Sequence, residues 1–87
     1  MAGNNTIRVR FFARLREELG TELLSVESEP GLTAGGLLRE LAKKGGNWAQ
    51  LDGPQPVMIA VNQEMTKADK TLQAGDEVAF FPPVTGG

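Results

Sequence analysis

The sequence contains no cysteine, no histidine and no tyrosine. Without cysteine there is no disulfide, and no thiolate to hold zinc or an iron–sulfur cluster. Without histidine the commonest general base is missing. With both gone, the usual Ser-His and Cys-His nucleophile pairs are excluded. Ser25 and Ser28 have no such partner. Carboxylates and lysines remain, but in no paired spacing that points to acid–base work, so the side chains of this chain are expected to perform no catalysis and to bind no metal or cofactor. An excess of either charge is also lacking. Nine Lys and Arg stand against eleven Asp and Glu, a net charge of −2, which gives no strong pull toward nucleic acid or an anionic membrane. No apolar run approaches the roughly 20 residues of a membrane span. The opening MAGNNTIRV has neither the basic nor the apolar region of a secretory signal. These absences point to the cytoplasm, with no nucleic-acid or membrane partner.

What is present is an ordinary globular composition, 40% hydrophobic and 23% charged, in 87 residues, enough for one domain. Residues 1–5 are small and polar and are expected to fray. TIRVRFF (6–12) alternates, with Ile7, Val9 and Phe11 on one face and Arg8, Arg10 and Phe12 on the other, the pattern of a half-buried strand. ARLREELG (13–20) pairs Leu15 with Leu19 and stops at Gly20, a short helix with a glycine cap. TELLSVES (21–28) reads as a second strand with Leu24 and Val26 on one face, and EPGL (29–32) as a turn. Thr33 is a good cap for a helix carrying Leu37, Leu38 and Leu41, ended by Gly45-Gly46. Gly35-Gly36 fits no phosphate-loop pattern and predicts close packing of the helix on a sheet. Residues 47–56 read as a loop in which Trp48 anchors the core or a lid. VMIAVN (57–62) reads as a buried strand, QEMTKADKTL (63–72) as a turn, short edge strand and loop, AGD (74–76) as a turn and EVAFF (77–81) as the last strand.

The order strand, short helix, strand, helix and then three strands predicts an α+β domain over 1–81. One main helix packs on one face of a mixed four- to five-stranded sheet. The order is that of the β-grasp, or ubiquitin-like, architecture, in which the first and last strands are parallel neighbours at the centre.

The last strand runs into PPVTGG (82–87). Proline has no amide donor for a strand ladder, and two in a row favour polyproline II. Residues 82–87 are therefore expected to leave the body extended, reaching roughly 20 Å at about 3.1–3.6 Å per residue. The prolines limit the freedom lost when such a tail enters a partner. Gly86 and Gly87 let the backbone approach another surface closely. A carboxylate at the end of this probe is a poor electrophile until it is given a leaving group, and adenylation with ATP supplies one.

GDEVAFFPPVTGG (75–87) resembles the C-terminal signature of the small, sulfur-carrying subunit of molybdopterin synthase, the MoaD family. VRFFARLREELG (9–20) and AVNQE (60–64) extend the similarity upstream, and residues 45–56 carry least of it. The resemblance implies that an E1-like adenylyltransferase uses ATP to adenylate Gly87, and that a sulfur donor protein converts the adenylate to a thiocarboxylate. It further implies that Pro82, Pro83, Val84, Thr85 and Gly86 insert with Gly87 into the large subunit of molybdopterin synthase. There the sulfur attacks cyclic pyranopterin monophosphate, within a heterotetramer whose large subunits do the acid–base work.

Strand alternation points Phe81 away from the helix-covered face, and Met65 is expected on the same side. In the family these positions belong to an apolar patch that meets both partners, which Phe12 would extend. Cover by a loop is the other reading for Phe81. Arg8 and Arg10 read as solvated strand charges or as contacts for an acidic partner. Three further readings fit the chain: sulfur carriage for thiazole, cysteine or tRNA thiolation; ubiquitin-like modification of other proteins; and a plain β-grasp interaction domain in which the tail plays no part.

Overall fold

Alternation of β-branched and aromatic residues with charged ones makes residues 6–11 a strand, and the computed structural model, which describes residues 5–53 and 57–82, places β1 at Thr6–Phe11. Its inward residues Ile7, Val9 and Phe11 are essentially sealed. The expectations for residues 1–4 and 83–87 lie outside the described residues. Asn5, grouped by sequence with the fraying end, accepts a hydrogen bond from the Ser28 N–H at 2.6 Å.

The remaining elements are α1 (Ala13–Leu19), β2 (Leu23–Glu27), α2 (Ala34–Ala42), a 3₁₀ helix (Gly46–Asp52), β3 (Met58–Val61), β4 (Glu64–Thr66) and β5 (Glu77–Phe81). The strands form one sheet in the order β2-β1-β5-β3-β4. β1 and β5 are parallel, and every other pairing is antiparallel. The expected β-grasp topology is therefore present, with β5 at the centre.

Helix ends follow the local chemistry. Gly20 adopts a left-handed φ of 65° after α1, a conformation that glycine reaches without steric cost. The Thr33 side chain caps α2 by accepting the Gly36 N–H at 3.0 Å. Leu15 and Leu19 from α1 and Leu37 and Leu41 from α2 join Ile7, Val9, Phe11, Ile59, Val61, Val78 and Phe80 in a single core on one face of the sheet.

Two expectations need correction. Gly35 does pack closely, but against the loop after β4 rather than the sheet: a Cβ there would stand 2.9 Å from the Ala68 Cβ. Its N–H also donates to the Ala68 carbonyl at 2.8 Å. Residues 46–52 are not loop but 3₁₀ helix. The Trp48 N–H donates to the Gly45 carbonyl at 3.0 Å, and the Asn47 side chain ties the turn to the Glu18 carbonyl at 2.8 Å. Trp48 and Leu51 lie three residues apart, one 3₁₀ turn, and so face the same way. Trp48 meets Phe11 edge-on, with ring centroids 5.5 Å apart, so it anchors the core.

Candidate functional site

β5 alternates, so consecutive phenylalanines serve opposite faces. Phe80 is sealed in the core, whereas Phe81 is half-buried on the outer face. The parallel ladder sets Phe11 beside Phe80 and is extended by the Phe12 N–H, which donates to the Phe80 carbonyl at 3.2 Å. The chain then turns sharply at Ala13, whose φ of 54° is left-handed, a conformation costing a non-glycine residue about 1–2 kcal/mol. This turn starts α1 and leaves Phe12 on the outer face. There its ring stacks on Phe81, with centroids 4.8 Å apart and planes 9° from parallel.

The apolar surface continues across the sheet. Antiparallel register sets Met58 of β3 opposite Phe81 and Ala60 opposite both Ala79 and Met65. Met65 is 58% exposed and Met58 39%. The three docking candidates Phe81, Phe12 and Met65 therefore share one face. The first two are in direct contact, and Met65 stands two strands away.

Met58 is a member of this surface that the sequence reading buried with the rest of its strand. A signal was available: β-branched side chains occupy 57, 59 and 61, and unbranched ones occupy 58 and 60. Leu23 is likewise 50% exposed on the outer face, opposite Arg10. At this strand exit Pro82 is half-buried, and Pro83, Val84, Thr85, Gly86 and Gly87 lie outside the described residues.

The outer face is polar on its other half. Arg8 lies directly opposite Glu77 in the parallel register. The Arg10 Nε reaches a Glu77 carboxylate oxygen at 2.9 Å, and Arg8 approaches the other at 4.0 Å. Both arginines are thus partnered within the chain, which neither sequence reading had specified. Among the described residues no group of three or more His, Cys, Asp and Glu could hold a metal ion. No helix among them is long and apolar enough to cross a membrane. An apolar, aromatic-centred surface beside a charged one, at the end of a central strand, is suited to docking a protein.

Residues 9–87 match the model of the ThiS family. An Escherichia coli protein named molybdopterin synthase sulfur carrier subunit is 43% identical over 82 residues, covering 93% of this chain and 99% of that one. A Haemophilus influenzae protein of the same name is 38% identical over 81 residues, with the same coverage of both chains. Among solved structures, SAMP1 from Haloferax volcanii superposes with a TM-score of 0.78 at 28% identity, covering 94% of this chain and 99% of that one.

Proposed function

This chain belongs to the ThiS family, and on that premise we propose that it is the sulfur carrier subunit of a molybdopterin synthase. The observation that carries the proposal is the nearly end-to-end match to two proteins of that name. In this reading Gly87 bears the terminal carboxylate. An E1-like enzyme adenylates it with ATP, releasing pyrophosphate, and a sulfur donor protein displaces AMP to leave a thiocarboxylate. Pro82 through Gly86 then carry the thiocarboxylate into the large subunit, where its sulfur is transferred to cyclic pyranopterin monophosphate. The work takes place in the cytoplasm.

The fold supports this division of labour. β5 is held on both sides by hydrogen-bonded neighbours, so the tail starts from a fixed point. The Phe12–Phe81 stack, Met58 and Met65 surround that point with apolar surface that both enzymes can grip in turn. Aromatic anchors of this kind dominate protein interfaces. The chain itself supplies sulfur and a docking face, and the large subunit supplies the catalytic groups.

Reconstitution tests this. Thiocarboxylated chain mixed with a molybdopterin synthase large subunit and the pterin precursor is expected to yield molybdopterin, and the chain lacking Gly87 to yield none. Equal product from the shortened chain would remove the proposal. The likeness to SAMP1, whose name denotes a small archaeal modifier protein, favours one second reading, attachment to other proteins through the same terminus. Higher-mass conjugates in a lysate of the source cells, lost on deleting Gly86 and Gly87, would mark that use.

A further inference from the structure

The sheet ends at β2, which pairs with β1 on one side and with no strand among the described residues on the other. The register fixes which of its backbone groups are free. The Phe11 N–H donates to the Glu22 carbonyl at 3.0 Å, and the Ser28 N–H donates to the Asn5 carbonyl at 2.6 Å. Antiparallel bonding alternates, so the register between these two bonds turns Leu24 and Val26 toward β1 as well. Leu23, Ser25 and Glu27 then direct their N–H and C=O groups outward. These three residues are exposed.

Beside this edge, where β2 passes α2, lies a groove of ≈ 230 Å³ lined by Val26, Leu32, Leu37, Glu27, Glu29 and Glu40. That volume is below the roughly 300–1,000 Å³ of sites for small organic ligands. It suits aliphatic side chains projecting from an added strand. The charged residues that line it are all acidic. From Gly20 to Leu38 there is no Lys or Arg, while Glu22, Glu27 and Glu29 all fall in this stretch. Glu27 and Glu29 make no ion pair among the described residues, and Glu40 is held by Lys43 at 3.2 Å.

We propose that the free edge of β2 accepts an extended, basic segment of a partner protein as a sixth strand, its alternate apolar side chains filling the groove against α2. Strand addition draws affinity from main-chain hydrogen bonds and specificity from alternate side-chain pockets. An edge left open invites pairing, and charge selects the occupant. A second copy of this chain, pairing antiparallel about a twofold, would offer Glu22, Glu27 and Glu29 no cation from its own residues 20–38, so its edge does not neutralise them. A segment with Lys or Arg flanking aliphatic residues meets them with opposite charge. The groove lies toward the Glu27 end of β2, whereas the parallel β1–β5 register puts Phe81 at the other end of the sheet. A partner held here leaves the Phe81 face uncovered, so the proposal does not depend on the function proposed above.

The test uses the full chain, labelled for amide NMR, and the peptide acetyl-Lys-Val-Ser-Val-Lys-amide. Bound peptide is expected to slow hydrogen exchange of the Leu23, Ser25 and Glu27 amides by about tenfold or more at saturation. Reversing charge with E27K and E29K together is expected to weaken binding roughly three- to tenfold, as two exposed ion pairs allow. Ser25→Pro, which removes an outward N–H and leaves the β1 ladder intact, is expected to abolish it. The charge-reversed double variant keeps the test valid if the proline variant does not fold. Three results would each overturn the proposal: no slowing at these amides, equal binding of a peptide with Glu in place of Lys, or the same protection without peptide in a concentration-dependent dimer.

Discussion

On the inner face of the sheet Ile7, Val9, Phe11, Val78 and Phe80 are sealed beneath two helices. On the outer face, the same or adjacent strands present Phe12, Phe81, Met58 and Met65 to half-open surroundings. Both sets are apolar and both centre on aromatic rings in contact. Inward rings meet at 6.0 Å and a 36° tilt between Phe11 and Phe80, and outward ones stack at 4.8 Å between Phe12 and Phe81. Hydrophobicity alone therefore does not separate a sealed residue from a half-open one here. Position in the two-residue repeat of the strand does.

The contrast can be broken by substitution, most sharply at the adjacent phenylalanines. Phe80→Ala is expected to cost about 3–5 kcal/mol in equilibrium urea unfolding, because it opens a cavity in the core. Phe81→Ala is expected to cost about 1 kcal/mol, the scale of one aromatic stack, while weakening binding to the large subunit by more than roughly tenfold. If the two variants lose the same stability, the outer face is core after all.

A smaller loss is expected where α2 meets the loop after β4. Gly35→Ala forces a Cβ to 2.9 Å from the Ala68 Cβ, an overpacking cost of about 1–3 kcal/mol. Better helix propensity returns about 1 kcal/mol of it. A net loss of about 1 kcal/mol in the same unfolding experiment is expected.

Glu77→Gln removes the partner of Arg10 on the exposed side and is expected to cost about 0.2–1 kcal/mol, less at high salt. At the far end of the series, Met65→Lys is expected to change stability by less than about 0.5 kcal/mol. Its effect should appear instead in titration calorimetry as weaker binding to the large subunit. Unchanged binding would remove Met65 from the docking face.

Local chemistry was legible in the sequence because it acts over a few residues. The alternation of β1 and β5, the Thr33 cap and the Gly20 cap were all readable this way. The Phe12–Phe81 contact was not legible in full. It needs β1 and β5, which lie at opposite ends of the chain, to pair in parallel, and it needs the left-handed turn at Ala13, a residue with no conformational signature of its own. Met58 was missed because a continuous apolar run was read as buried on both faces, although the placement of its branched residues carried the alternation. The partner of Gly35 was missed because a glycine shows that something comes close without showing what. The ion pairs of Arg8 and Arg10 depended on register, which composition does not encode.

The most direct measurement is the intact mass of the chain after incubation with an E1-like activating enzyme, ATP and sulfide. The expected result is a gain equal to one sulfur replacing one oxygen, located at Gly87 by fragmentation and absent when Gly87 is deleted. An unchanged mass, or a gain located on any side chain, would contradict it.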